Sequence, residues 1–427
     1  MSSQNAERES VTTSLGDVPS ARSRHAGRRS TVALESDVAV VGTADGTVVG
    51  FDAESGDELW TSEASDASLV SAVAFDGAVV VGERGPEGEV RAHDAETGDV
   101  RWRYATVSEV GEPQKDTRFF LPFVADLVAD DERVYAAARR YERGKDGSRD
   151  FESVVYAFDP DGEIAWSFET DGSPIALSTD GNRLAVGYNR CTGDHQDGLV
   201  VLDAASGAVE WTWDPGNDGQ RRVGDVSVLD DGLAVTSHGD YRGYVLDEGG
   251  EVRWSADLAT PQDIGDETLY AYPNHVHATD AGVLFVTGNT YPEEGRETES
   301  NHPDDHTVFG YSPDGEREWT VPAGGFVSGI GHGVQCASER SSGNGEEPRD
   351  ADRVVVPVAQ NFRERDASVH GYHVFDVAEG QLSDVAVDGI SSAGALAGDR
   401  VAVVEEPVEY HDENERHGAY RVHLDSF

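Results

Sequence analysis

Apolar residues in this chain arrive in short runs. Leu69 to Phe75 ends at Asp76-Gly77, and Ala78-Val-Val-Val-Gly82 follows at once. Runs of this length, rich in β-branched residues and punctuated by Gly and Asp, predict antiparallel strands joined by hairpins. No segment keeps the three-to-four-residue apolar spacing over the length of a substantial helix, so the pattern predicts an all-β chain.

The runs repeat. FDAESGDELW (51–60) returns as HDAETGDVRW (93–102), FDPDGEIAW (158–166), LDAASGAVEW (202–211), LDEGGEVRW (246–254) and YSPDGEREW (311–319), with weaker copies at FDVAEGQLSD (375–384) and the final HLDSF (423–427). The base interval is about 43 residues, with about 20 more in three units, and four strands in such a period make one propeller blade. Eight copies predict a single eight-bladed β-propeller of four-stranded antiparallel blades over residues 30–427; seven blades and a stray hairpin are the alternative. The last copy stops at its third strand, and Ser10–Leu15 is the strand-like piece available to complete it. Otherwise residues 1–29 are expected to be a flexible polar tail.

The repeat [aliphatic/aromatic]-Asp-x-x-[Ser/Thr]-Gly-x-x-x-Trp is clearest at Asp52, Gly56 and Trp60, at Asp94, Gly98 and Trp102, and at Asp203, Gly207 and Trp211. It resembles the tryptophan-docking repeat of the pyrroloquinoline-quinone-like β-propellers, a family that includes quinoprotein alcohol dehydrogenases and the outer-membrane assembly factor BamB. The resemblance covers residues 40 to 427 and implies that Trp60, Trp102, Trp166, Trp211, Trp254 and Trp319 are structural, each wedged between neighbouring blades. A buried indole fits that role, since it brings a large apolar area and needs one partner for its N–H. The family's enzymes are also expected to carry a signal peptide, a vicinal Cys-Cys pair against the quinone and a Glu/Asn/Asp calcium set. Here Cys191 and Cys336 are far apart, so neither the quinone with calcium nor a disulfide framework is expected.

Charge changes the picture more than composition does. Asp and Glu number 82 against 33 Lys and Arg, a formal charge of -49, and Lys115 and Lys145 are the only lysines. Such a surface repels itself in dilute buffer and is screened in molar salt, as in a halophile's cytosol. Hydrophobic residues at 37% argue against an acidic disordered chain. The charge disfavours a nucleic-acid partner. Arg28-Arg29 lacks the apolar stretch of an export signal, and no run is long enough for a membrane helix. A cytoplasmic monomer without membrane insertion is expected.

Strand alternation assigns the loops to faces. Arg139–Glu152, Thr290–His306, Asn361–Val369 and Glu405–His417 lie between second and third strands, and Ala105–Phe120 joins two blades. All map to one face, with tight turns opposite, and loops elaborated on one side of a rigid scaffold form a binding surface. First strands should line the channel. Most are filled with small residues, but those of blades five to seven bring Arg221, Arg222 and Asp225, then Tyr272, Asn274, His275 and His277, then Phe326, Ser328 and His332. His275 and His277 share a strand face, and with His332 they could meet at a divalent metal. Ser237-His238-Gly239 is only a strand end. The expected function is a non-catalytic scaffold that holds a protein or peptide on the elaborated face. A small-ligand or metal-binding propeller, or a dehydrogenase with its site at the channel mouth, is the alternative.

Overall fold

The computed structural model describes residues 10–22, 29–216, 219–295, 298–332, 350–359, 365–410 and 415–426. Its regular structure is almost wholly β; the helical pieces among the described residues are one turn of α-helix, Val107–Val110, and two short 3-10 turns.

Strands assemble in antiparallel sets of four, taken in chain order. Thr31–Glu35, Val38–Gly42, Val48–Asp52 and Glu58–Thr61 form the first set, and equivalent sets span 172–213, 223–257 and 331–386. Two more, 68–105 and 123–170, are joined in one sheet where Phe123 pairs with Arg84. The set within 262–322 carries an extra strand, Gln262–Ile264. Inner strands are buried on both faces, as with Val38–Gly42, whereas outer strands such as Glu58–Thr61 are largely exposed. The core is therefore distributed between neighbouring sets: Phe75, Val80 and Val90 of one pack against Val124, Val154, Tyr156 and Phe158 of the next. This is β-propeller architecture.

The outer strands meet the next set at a recurring joint. Trp60 Nε1 donates to Ala95 O at 2.9 Å, Trp166 to Ala204 O at 2.9 Å, Trp254 to Pro313 O at 2.9 Å and Trp319 to Val377 O at 3.2 Å. Each acceptor begins the turn that follows the repeated Asp position. Gly98 completes one such turn at φ 77°, and a Cβ there would lie 2.5 Å from the Trp60 ring, so backbone conformation and close packing both require glycine. Asp52 shapes the equivalent turn, its Oδ1 accepting from Glu54 N at 3.1 Å and Ser55 N at 2.7 Å.

The final set contains Ile390–Ala397, Arg400–Glu406 and Arg421–Ser426, and its fourth strand is Ser10–Ser14, with Ser10 opposite Asp425 and Ser14 opposite Arg421. The usual joint is altered here. Gly56 faces Val11 and Thr13 instead of an indole, and Thr13 Oγ1 donates to Gly56 O at 2.9 Å. Beyond the strand, Leu15 N donates to Tyr420 O, Val18 and Ala21 are buried, and Ala21 N donates to Pro407 O. An unpaired strand edge in the last set and an apolar recess hold residues 10–22. Residues 1–9 and 23–28, like Cys336, lie outside the described residues.

Gly331–His332 and Arg353–Val358, the first and second strands of their set, are separated by a long stretch of sequence where the other sets have short turns; residues 333–349 lie outside the described residues. The insertion at Arg139–Glu152 also differs from a simple loop: Val134–Arg143 and Arg149–Phe158 extend as a long hairpin.

Candidate functional site

First strands of the successive sets surround a central cavity of about 1970 Å³, which opens on the elaborated face. Side chains stitch those strands together. Asp126 accepts from Leu177 N at 2.8 Å, Asp225 from Val276 N at 3.1 Å and Ser227 from Ala278 N at 3.0 Å; Ser178 accepts from Val228 N at 2.9 Å. Each bond satisfies a backbone amide that channel geometry leaves without a strand partner. Among the described residues, Asp126 and Asp225 are the only carboxylate residues in the cavity lining, beside nine arginines.

The arginines gather where the long hairpin, the blade connection and the first strands meet. Arg84 stands over the Phe123 ring at 3.7 Å. Arg139 lies 5.1 Å from the centre of that ring and 5.7 Å from that of Phe151. Arg221 covers Tyr272 at 4.4 Å. Arg190 is half-buried; burial first, then Arg221 and Arg149, pull its guanidinium down to about 10, which leaves it charged at neutral pH. Phe119, 60% exposed, brings a large apolar surface to the same mouth.

Nine of the ten residues nominated from sequence line this cavity, namely Arg221, Asp225, Tyr272, Asn274, His275, His277, Phe326, Ser328 and His332. Arg222 does not. It is buried, with an ion pair to Asp214 at 3.0 Å and bonds to Gly219 O and Gln196 O, and so anchors loops. The histidines come close without sharing a ligand point. His277 stacks on His332 with ring centres 4.8 Å apart, but its Nε2 meets Ala351 O at 2.6 Å, whereas His275 Nε2 meets Val327 O at 3.0 Å. Burial, with His332 adding to it, lowers His277 to about 3, so the ring is neutral. Among the described residues no group of three or more His, Cys, Asp or Glu is disposed to hold a metal ion. Sequence reasoning missed Arg139, Arg149 and Arg190, although RRYERGKDGSR (139–149) holds five cations in a chain of charge -49. It also passed over His238, which is buried beside Tyr272 with ring centres 4.7 Å apart, its Nδ1 2.8 Å from Asn189 Nδ2.

A family model described as outer membrane protein assembly factor BamB matches residues 44–227 and again 152–270. The chain belongs to this family of PQQ-like β-propellers. Among relatives of the propeller, BamB of Bordetella pertussis is 26% identical over 58% of this chain and 59% of its own length. The quinohemoprotein alcohol dehydrogenase of Comamonas testosteroni is 26% identical over 51% of this chain but only 31% of its own length. The propeller thus spans less than two thirds of the length of the curated relatives it matches. In solved structures the fold is shared with BamB of Moraxella catarrhalis, at 17% identity, TM-score 0.52 and 98% coverage of both chains. It is shared too with the Comamonas dehydrogenase, at 12% identity, TM-score 0.59, 96% coverage of this chain and 75% of that one.

The residues of this PQQ-like propeller do not suit the calcium–quinone pair that its family's dehydrogenases imply. Both lining carboxylates are engaged: the oxygens of Asp126 accept from Leu127 N and Leu177 N, and those of Asp225 from Val226 N and Val276 N. Cys191 stands without a neighbouring cysteine in the sequence. It is buried, bonds to Asp197 O at 3.4 Å and is pushed up to about 12 by burial, which makes it an inert thiol.

Proposed function

We propose that this chain is a non-catalytic, monomeric eight-bladed propeller that holds a protein or peptide partner on its elaborated face. One observation carries the reading. The segments that depart from the repeat supply Phe119, Arg149, Tyr291, Arg365 and Tyr410 to a single cavity mouth. A rigid repeat scaffold with its variation gathered at one opening is suited to recognition, because ordering costs are met by the fold before the partner arrives. Named relatives that assemble membrane proteins support the same reading, and those that are dehydrogenases support a catalytic alternative that the lining carboxylates do not favour.

A photo-reactive amino acid placed at Phe119, on the elaborated face, and at Val252, on an exposed outer strand, tests the proposal in cells. A discrete protein adduct from position 119 alone is expected. Adducts of equal yield from both positions, or from neither, contradict it.

A further inference from the structure

Charge in this molecule is divided unevenly. The whole chain has 82 acidic and 33 basic residues, yet among the described residues the cavity lining has two and nine. The two lining carboxylates accept hydrogen bonds from backbone amides of neighbouring strands, and neither forms an ion pair with Arg149 or Arg190. Among the described residues, Arg149 and Arg190 form no ion pair and their guanidinium groups donate no hydrogen bond. Arg190 is nevertheless half-buried between Arg221 and Arg149, and like charges brought together without a counter-ion are costly unless something else supplies one. Rings hold other members of the group: Tyr272 lies under Arg221 and Phe123 under Arg84.

Shape decides what brings that negative charge. The cavity, at about 1970 Å³, is larger than the roughly 300–1,000 Å³ of small-ligand pockets. Its cations come from successive blades, and Phe119 and Tyr141 stand among them as apolar surfaces. A nucleic-acid strand carries phosphate continuously and would meet the repulsion of the -49 surface wherever it left the mouth. A peptide can confine its carboxylates to the recess.

We propose that the channel mouth receives an acidic segment of the partner protein, its carboxylates taken by Arg149 and Arg190 and its apolar side chains by Phe119 and Tyr141. This rests on the binding reading above and names the chemistry recognised. Because the recess is partly desolvated, part of the attraction survives the salt that screens the outer surface.

Fluorescence anisotropy with a labelled peptide of about twelve residues that alternates Glu or Asp with Leu or Phe tests it. The comparison probes are the same peptide with Gln and Asn for the acids, an oligouridylate of about ten nucleotides, and citrate. The acidic peptide should bind, the neutral one at least about tenfold more weakly. R149Q/R190Q should lose at least about tenfold in affinity while R253Q on the opposite face changes nothing. Because among the described residues neither Arg149 nor Arg190 forms an ion pair or donates a guanidinium hydrogen bond, the double variant should keep the parent's circular dichroism and melting point. Equal binding of the neutral peptide, no binding of any probe, an unaffected double variant, or tighter binding of oligouridylate or citrate would each overturn the inference. Cross-linking from position 119 in the R149Q/R190Q background separates the two levels. A partner still captured there defeats the acidic-segment proposal and spares the binding reading, whereas no capture even in the parent defeats the reading itself.

Discussion

Trp60 reaches across a blade junction with one hydrogen bond, to Ala95 O, and a ring face laid on Gly98. Removing the indole empties that junction, and large-to-small changes of this kind cost about 3 kcal/mol or more. Trp60→Ala should therefore lower the unfolding free energy obtained from urea denaturation in high salt by that amount without changing the all-β circular dichroism. Gly98→Ala should be destabilising from the other side of the same contact, since alanine pays about 1–2 kcal/mol for the left-handed backbone and its Cβ meets the ring. The double variant then loses less than the sum of the singles, because each change removes the same contact. A full sum would contradict the joint.

The same scale shows why the tryptophans could be read from sequence and the arginines could not. A residue repeated in six units announces a shared structural duty. Arg139, Arg149 and Arg190 occur once each, on strands and a hairpin whose length was not evident, and their convergence depends on how neighbouring blades are placed. The i, i+2 spacing of His275 and His277 gave them one strand face, but it could not reveal that carbonyls of Val327 and Ala351 would take their Nε2 atoms separately.

At the scale of elements, closure of the molecule depends on Ser10–Ser14. The strand covers the edge of Arg421–Ser426, and behind it lies a polar cluster in which buried Glu406 accepts from Arg29 and from Ser30 Oγ at 2.9 Å. Deleting residues 1–15 should expose that edge, lower the melting temperature and promote association, which light scattering would detect. Unchanged melting would show the strand to be dispensable.

Next to it, Glu405 sits in a cage of donors. Burial alone would raise its carboxyl, but His423 at 2.7 Å, Ala419 N and Gly389 N hold it below the usual carboxylate range. A carboxyl depressed in the native state stabilises the fold above its unfolded value, and that contribution is lost as pH falls through the native value. Acid should therefore weaken this final blade, and Glu405→Gln should flatten the acid limb of the stability curve while lowering stability at neutral pH. An acid limb identical to the parent's would remove Glu405 from the account.

Strand sets of four were legible because each is a run of local hairpins with its own turn chemistry. The face assigned to the loops followed from alternation alone, and it left out the long stretch between Gly331–His332 and Arg353–Val358, whose first strand has only two residues. So short a strand leaves almost no apolar pattern to read.

Taken whole, the molecule sets an acidic exterior against a cationic recess. The exterior should make stability depend on salt. Between about 0.1 M and 1 M the Debye length shrinks from about 10 Å to about 3 Å, and the denaturation midpoint of a chain carrying -49 should rise over that interval. A midpoint indifferent to salt would mean that the surface charges are already balanced locally. The recess, in contrast, is where the chain has arginines to present, and its surroundings are the segments that do not repeat.

Hydrogen exchange of the native complex, isolated in high salt and compared with the free chain, tests the central claim most directly. Slowed exchange over residues 105–120 and 139–152 at the channel mouth is the predicted result. Protection confined to the outer strands Glu58–Thr61, Val209–Trp213 and Val252–Asp257, with the mouth unchanged, would contradict it.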